Sequence, residues 1–257
     1  MSMSTRASSR APIERPRYIE RAPPLVFPES AEMPETQLHV DLRTLLYHLL
    51  RDFLGEDATV GSDQFVYFDA GDPSACVTPD VYVALSPSRE KIRTWKVWER
   101  GAPQVAVEII SDSDASELSW QQKLTRYQRL GVQELIRFDA EAQERTLRVW
   151  DRVEGRLSER ALTQCRASSL VLQLNWVVAP AEGMPRALRV EHAGKLVPTR
   201  KEAWQAEAEA RQAEAEARQA EAEARQAEAE ARQAEAEARQ AAELRVKELE
   251  AELRRRG

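Results

Sequence analysis

The chain has 257 residues, of which 37 are Lys or Arg and 43 are Asp or Glu, giving a formal net charge of −6. This acidic balance excludes a protein that binds nucleic acid through bulk positive charge, although it is compatible with a local basic patch. No apolar run approaches the roughly 18 residues of a membrane span, and the two distant cysteines indicate neither a disulfide framework nor a zinc site. We therefore expect a cytoplasmic protein with no membrane segment.

Composition divides the chain into three segments. Residues 1–34 hold six of the thirteen prolines without helical or strand periodicity, which predicts a disordered lead-in. Residues 35–200 show the apolar periodicities of a folded domain, and residues 201–257 form a charged tail. The tail holds 11 Lys or Arg and 15 Asp or Glu, so the preceding 200 residues have a net charge of only −2.

The folded segment predicts a mixture of helices and strands. The first helix begins near Thr36, a suitable N-cap, and ends before Gly55, with apolar residues at three- and four-residue steps from Leu38 to Phe53. This order predicts a mixed α/β (α+β) core with further strands after it. The remaining predicted elements, in chain order, are strands at 65–68, 81–85 and 104–110, a helix over about 115–130, and strands at 132–138, 146–153, 155–162 and 170–178.

The tail is a repeat. The heptad AEAEARQ occurs five times without error from Ala206 to Gln240. Its residues are strong helix formers, and a Glu lies four residues before each Arg, as in Glu207 and Arg211, which is the favourable orientation. A strict seven-residue period favours a left-handed coiled coil, so we expect a homodimer through the tail. Because the apolar seam consists of alanines, a solitary charged helix that acts as a spacer is the alternative.

Two acidic residues stand in apolar surroundings. Glu108 lies within the apolar segment 104–110, and Asp80 directly precedes the apolar segment 81–85. A carboxylate on such a strand is costly unless it is exposed, hydrogen-bonded or bound to a cation. Two carboxylates on neighbouring strands supply the oxygen ligands that Mg²⁺ prefers, and such an ion can activate water and neutralise phosphate charge. Lys123, on the next helix, could reach back over the strand end.

Both acids also have an ordinary interpretation. Pro-Asp dipeptides are common at the start of strands, and a single Glu on a strand is usually solvated. The spacing of Asp80, Glu108 and Lys123 therefore leaves the metal site and the purely structural interpretation open.

The segment 89–100 combines basic and aromatic residues and is the best candidate for contact with phosphates. Lys91, Arg93 and Lys96 could displace counterions from nucleic acid, and the tryptophans beside them could stack on bases. The alternative is a solvated loop anchored by its two tryptophans. Arg126 on the second long helix is a further candidate for phosphate contact, or part of a solvated helix face.

Taken together, the segments TPDVYVAL, VAVEIISDSD and WQQKLTRYQRLGVQELIRFD resemble the PD-(D/E)XK nuclease superfamily, and more closely the bacterial Uma-two family of restriction-endonuclease-like proteins. The resemblance covers about residues 35–178. Asp80 matches the Asp of the PD element, and Glu108 matches the acidic residue of the second catalytic strand. The Lys usually found two residues after that Glu is missing, since Ile110 stands there. The resemblance implies that Lys123 on the following helix replaces it.

The resemblance implies a central mixed sheet flanked by helices, and Mg²⁺- or Mn²⁺-dependent cleavage of DNA. Asp80 and Glu108 would hold the ion, the backbone carbonyl of Ile109 is a candidate third ligand, and Lys123 would position the attacking water. His39 falls where many family members have a histidine, and it is either an auxiliary residue of the site or structural. Because a fold does not carry its chemistry automatically, a nuclease-like module that binds without cutting, assembled through the tail, is the alternative function.

Overall fold

The computed structural model describes residues 36–88, 90–110, 117–162 and 165–256, so the predicted lead-in at 1–34 lies outside the described residues. These ranges form a mixed α/β fold, as the sequence predicts. The helices are α1 (Gln37–Leu54), α2 (Val97–Arg100), α3 (Glu117–Leu130) and α4 (Arg200–Arg256). The strands are β1 (Thr59–Gly61), β2 (Val66–Tyr67), β3 (Cys76–Val77), β4 (Val81–Ala84), β5 (Trp95–Lys96), β6 (Val105–Ile109), β7 (Glu134–Phe138), β8 (Leu147–Val153), β9 (Arg156–Glu159), β10 (Arg166–Ser169), β11 (Leu174–Ala181), β12 (Met184–His192) and β13 (Lys195–Leu196).

The main sheet has six strands in the order β1-β4-β6-β7-β8-β9. Strands β6 and β7 run parallel and all other neighbours are antiparallel, so the sheet is mixed. Helix α3 lies between the parallel strands in the chain, because parallel strands need a long crossover rather than a hairpin. Every residue of β4 and β6 is buried, which indicates that these central strands are covered on both faces.

The two faces of the main sheet pack against different helices. On one face, Val107 of β6 belongs to a core that includes Leu46 of α1. On the other face, Ala106 packs in a core that includes Trp120 and Tyr127 of α3. The alternation of side chains along β6 therefore separates an α1 side from an α3 side. The small sheet β3-β2-β5 adds to the α3 side.

The sheet β10-β11-β12-β13 departs from the sequence prediction. The apolar segment 170–178 predicts one strand, but β11 begins only at Leu174, and residues 170–173 form a turn. This turn is stabilised because the hydroxyl and the carbonyl of Ser169 accept amide hydrogens from two of its residues. Strand β12 was not predicted at all. The hairpin of β11 and β12 contributes to the core on the α1 side, where Trp176 is fully buried.

The tail helix α4 is attached to the domain at its first turn. Thr199 and Glu202 form a capping box, in which each backbone N–H is accepted by the other side chain. Glu202 also receives both terminal nitrogens of Arg189, at 3.0 and 2.7 Å, and Arg200 pairs with Asp52 of α1. Beyond this turn the described side chains of α4 are exposed. No helix in the described part of the chain is both long and apolar enough to span a membrane.

Candidate active site

Two acidic side chains meet where β4 begins and β6 ends. The antiparallel register pairs Val81 with Val107, so its continuation by one residue sets Asp80 opposite Glu108. Glu108 projects to the α3 side, because it alternates with Val107 and Ile109, which face α1, whereas Asp80, just before β4, contacts His39 of α1. Asp80 is 8% exposed and Glu108 is 3% exposed. The structure thus brings together two of the residues that the sequence selects as metal ligands.

The Asp80 carboxylate is held by two hydrogen bonds. One oxygen, Oδ1, lies 2.7 Å from Nε2 of His39 on the first turn of α1. The other oxygen, Oδ2, accepts the backbone N–H of Ile109 at 2.7 Å. The Asp80 carbonyl in turn accepts the Ser62 hydroxyl at 2.8 Å. The carboxylate is therefore oriented before any ligand binds, and His39, the auxiliary candidate of the sequence, contacts it directly.

The Glu108 carboxylate faces helix α3. The Lys123 ammonium donates to Oε2 at 2.9 Å, and the Tyr127 hydroxyl donates to Oε1. Burial raises the pKa of Glu108 to about 7; the Lys123 ammonium opposes this rise, and the negative charge of Asp80 adds to it. The Lys123 side chain is 33% exposed, so its ammonium lies between the buried acids and solvent. A cation bound beside Glu108 would favour the ionised carboxylate near neutral pH.

Tyr127 is a contact of this site that the sequence prediction missed. Its ring is fully buried, and the apolar periodicity of α3 assigned it only to the core. The available signal was its spacing, since residues four apart lie on one face of a helix and Lys123 was already a candidate. The ring of Tyr127 therefore belongs to the core, and its hydroxyl belongs to the candidate site.

The two acids fit a hard divalent cation such as Mg²⁺ or Mn²⁺. Two adjacent buried carboxylates repel each other, and the raised pKa of Glu108 reflects this repulsion as well as burial. A cation bound between the two carboxylates would offset both their burial and their mutual repulsion. Within the described ranges, no three His, Cys, Asp or Glu side chains are arranged to hold a metal ion together. Mg²⁺, however, commonly binds through one or two carboxylates and keeps several waters, so the donor set suits it.

The basic residues predicted to contact phosphate make contacts of their own. Arg126 donates to a backbone carbonyl of β3 at 3.3 Å, and Lys96 pairs with Glu99 at 3.3 Å. Lys91 and Arg93 are exposed, and Lys91 lines a cavity of about 1070 Å³ between α1, β1 and the loop before β5. The partners of Arg126 and Lys96 named here are not Asp80 or Glu108, and the role of the four basic residues in binding stays a prediction.

One of the two tryptophans beside these residues is part of the core. Trp95 is 1% exposed, its ring lies 5.5 Å from that of Tyr82, and its indole N–H donates to the carbonyl of Gly101 at 2.8 Å. The idea that this indole stacks on bases is therefore wrong, because no face of it is accessible. Trp98, at 41% exposure, is the accessible tryptophan of the segment.

A comparison with known protein families shows to which family the chain belongs. The model of the family described as "Uma2: Putative restriction endonuclease" matches residues 29–189, more than half of the chain. The chain belongs to the Uma2 family. This membership confirms the resemblance drawn from the sequence, and it supports a nuclease-like function. No curated protein matches the chain.

A solved structure resembles this Uma2 chain. It is the crystal structure of a putative nuclease belonging to DUF820 from Anabaena variabilis ATCC 29413. The two chains are 15% identical, the match covers 60% of this chain and 76% of the other, and the TM-score is 0.40.

Proposed function

We propose that this Uma2 protein is a Mg²⁺- or Mn²⁺-dependent DNA endonuclease that hydrolyses phosphodiester bonds at the pair Asp80 and Glu108. The observation that carries the proposal is that these two buried carboxylates lie side by side with the Lys123 ammonium 2.9 Å from Glu108. A family described as restriction endonucleases supports DNA as the substrate.

Asp80 and Glu108 would hold the cation, with the backbone carbonyl of Ile109 as a further ligand. A divalent ion bound there would supply a Lewis acid that lowers the pKa of water and neutralises charge on the phosphate. The chain itself contributes orientation. His39 and the Ile109 N–H fix the two oxygens of Asp80, and Tyr127 fixes one oxygen of Glu108. Such supporting contacts typically change metal affinity or activity by about 10–100-fold.

Lys123 has a different role, because its charge has the sign of the cation. Its ammonium touches Glu108 and is partly exposed, so it can also donate to a phosphate oxygen or to a water at the open side of the site. In hydrolysis the water oxygen forms a bond to phosphorus, one ester P–O bond breaks, and negative charge develops on the phosphate. A fixed ammonium at this position stabilises that charge, an effect worth about 10²–10³ in rate in comparable sites.

A supercoiled-plasmid assay tests the proposal. We expect the wild-type protein to nick or linearise plasmid with Mg²⁺ or Mn²⁺, and Lys123→Met to reduce the rate at least about 100-fold. Lys195→Met, which removes an exposed lysine of β13, is the matched control and should cut at the wild-type rate.

Three outcomes distinguish the functions. Loss of cleavage in Lys123→Met but not in Lys195→Met supports the nuclease. Cleavage that survives Lys123→Met and Glu108→Gln comes from a contaminant or from another site. If the wild-type protein cuts no DNA and its melting temperature is unchanged by Mg²⁺ or Mn²⁺, the non-cleaving binding module is the better interpretation, because a ligand of the native state must raise that temperature.

We also propose that α4 pairs with the α4 of a second copy, through the alanines at 206, 210, 213 and 217. The Arg–Glu pairs described along the tail are formed within the helix, as between Glu207 and Arg211, and leave this stripe clear. Light scattering of the full chain should give twice the mass of 29.2 kDa. Ala217→Glu should shift the mass toward the monomer, because it places like charges in the seam. Gln219→Glu, off the seam, should leave it unchanged, and a monomeric wild type would contradict the pairing.

A further inference from the structure

One face of helix α1 carries a stripe of polar side chains that begins at the candidate active site. The stripe starts at His39, which contacts Asp80. It continues at four-residue steps with Arg43, Tyr47 and Arg51. Side chains at this spacing form a single ridge that is slightly inclined to the helix axis. With a rise of about 1.5 Å per residue, the ridge extends about 18 Å away from the site.

This ridge forms one wall of the large cavity between α1, β1 and the loop before β5, which we call the α1 groove. Its volume of about 1070 Å³ is at the upper end of the range for ligand sites and suits a chain better than a compact molecule. The described lining includes Arg43, Tyr47 and Arg51 from α1 and Lys91 from the loop. Arg43 is 14% exposed and Tyr47 is half-buried, so these side chains line a groove and are not simply a solvated helix face.

One end of the α1 groove is connected to the segment that carries Asp80. Ser62 and Asp63 belong to the lining of the groove. The Ser62 hydroxyl donates to the carbonyl of Asp80 at 2.8 Å, and the backbone N–H of Asp63 donates to that of Pro79 at 3.2 Å. A ligand chain that leaves the acidic pair on the Asp80 side therefore enters this groove.

Some of the charges in the α1 groove are compensated. The Arg43 guanidinium pairs with Asp63 at 3.3 Å. Glu90 of the lining pairs with Arg100 at 2.7 Å. These four charges cancel, so they shape the groove without adding net charge to it.

Two further basic side chains of the lining keep their charge available. In the described ranges neither Arg51 nor Lys91 has an acidic partner within ion-pair distance, and both are exposed. The Arg51 guanidinium donates to a hydroxyl, that of Tyr47, at 3.2 Å and lies 5.8 Å from the centroid of the same ring, which orients it without neutralising it. The remaining acid of the described lining is Glu56, so an excess of positive charge is left in the groove.

We infer that the α1 groove binds a single strand of the nucleic acid on the Asp80 side of the cleaved bond, with Arg51 and Lys91 on its phosphates. The strand leaves the acidic pair past His39 and follows α1. At about 3.4 Å per nucleotide, the ridge is long enough for about five nucleotides. This inference rests on the proposed function for the identity of the ligand and the position of the cleaved bond, but the binding itself does not require cleavage.

Fluorescence anisotropy of the full chain with a labelled single DNA strand, in EDTA so that nothing is cut, tests the groove. A strand of about 12 nucleotides is long enough to fill it. We expect Arg51→Gln and Lys91→Gln each to raise the Kd about fivefold at about 0.1 M salt and to reduce the slope of log Kd against log salt by about 0.7, because each removes one phosphate contact. The double variant should raise the Kd about 25-fold and reduce the slope by about 1.4. Arg51→Lys keeps the charge and should keep the slope.

Arg156→Gln and Lys195→Gln are the matched controls, since each removes an equal charge from an exposed position of β9 or β13, outside the described lining of the groove. They should leave Kd and slope unchanged. Arg51 and Lys91 are themselves exposed, so we expect their variants to fold. Wild-type slopes in both test variants overturn the inference, as does an equal loss in the controls. A wild-type protein that binds no strand at low salt also overturns it.

Hydrolysis of bis(p-nitrophenyl) phosphate by the wild type and by Glu108→Gln is measured alongside, because this substrate has one phosphodiester and no neighbouring phosphates. Hydrolysis that Glu108→Gln abolishes, together with wild-type slopes in the Arg51 and Lys91 variants, supports the nuclease and contradicts the groove. Reduced slopes without hydrolysis of this ester or of plasmid support the groove and contradict the nuclease. The two proposals therefore fail separately.

Discussion

Replacing Glu108 by glutamine should abolish metal-dependent cleavage and at the same time make the metal-free protein more stable above neutral pH. Glutamine keeps the shape of the side chain, and its amide can still meet the hydroxyl of Tyr127 and the ammonium of Lys123. It loses the negative charge that a cation requires, so we expect a loss of at least about 10³ in cleavage rate. It also removes a buried charge beside Asp80, which relieves repulsion in the absence of metal.

The gain in stability of Glu108→Gln over the wild type should increase as the pH rises. Burial raises the pKa of Glu108 from 4.5 to about 7. Between these values the folded protein keeps a proton that the unfolded chain has released, so the wild-type free energy of unfolding falls as the pH rises. The stability is fully present below pH 4.5 and is lost as the pH passes 7. Above that pH, Glu108→Gln should exceed the wild type by roughly 3 kcal/mol without metal.

Urea unfolding in EDTA at pH 5 and pH 8, together with plasmid cleavage, measures both effects. Mg²⁺ should raise the stability of the wild type at pH 8 and leave that of Glu108→Gln unchanged. Glu134→Gln is the control: this glutamate is fully buried on the same sheet, and burial raises its pKa, but it accepts from the Trp176 indole. It should retain cleavage. A Glu108→Gln protein that is less stable than the wild type at pH 8 would make Glu108 a structural residue.

The sequence contains enough information to select the acids but not to distinguish their roles. Asp80 and Glu108 stand out because a charge within an apolar strand is costly, and the family resemblance adds to that signal. Glu134 has the same property, since it lies in an apolar strand and is 0% exposed. Only the structure shows that Glu134 bonds to Trp176 whereas Glu108 faces Lys123. The cost of burying a charge identifies candidate residues in the sequence, but only the side chain that each residue contacts in the fold indicates its function.

Tertiary register explains most of what the sequence prediction lacked. Arg137 and Arg148 belong to segments predicted as strands, yet the placement of Arg137 beside Glu108, and of Arg148 beside Arg137, depends on which strands pair and in which register. Periodicity specifies the face of a strand and carries no information on its neighbours. Local features were predicted more reliably. Thr36 and Gly55 flank α1 as their capping chemistry indicates, with the Thr36 side chain accepting the N–H of His39.

Strand β12, in the hairpin of β11 and β12, is an element that the sequence prediction missed. The segment 184–192 alternates less clearly than β6, because Arg189 is buried at 2% exposure within it. A buried arginine makes a strand look like a polar loop in the sequence. It is stabilised here by Glu202 at the start of α4, thirteen residues later and in a different element. The ion pair between Arg189 and Glu202 therefore explains both why β12 was not predicted and how the tail helix is attached, and it is visible only in the folded chain.

Gly61→Ala should be the most destabilising single-methyl change in the β4 half of the main sheet. A Cβ on Gly61 would lie 2.1 Å from the Tyr82 ring and 2.4 Å from its hydroxyl. The ring cannot move aside, because it is buried against Trp95 and its hydroxyl donates to the Gln64 side chain at 2.8 Å. Overpacking of this kind costs about 3 kcal/mol when neither partner can yield. Urea unfolding monitored by tryptophan fluorescence measures the loss.

The strain at Gly61 should extend through the main sheet to Asp80 in the candidate active site. Gly61 pairs with Tyr82, and the next residue, Ser62, donates to the carbonyl of Asp80. A shift of β1 therefore moves the residue that orients one of the two acids, so we expect reduced Mg²⁺ stabilisation in the folded fraction of Gly61→Ala. Gly71→Ala, whose Cβ would have its nearest contact at 3.4 Å, should change stability by less than about 0.5 kcal/mol. Equal stability of the two variants would show that Tyr82 can move and that β1 does not constrain Asp80.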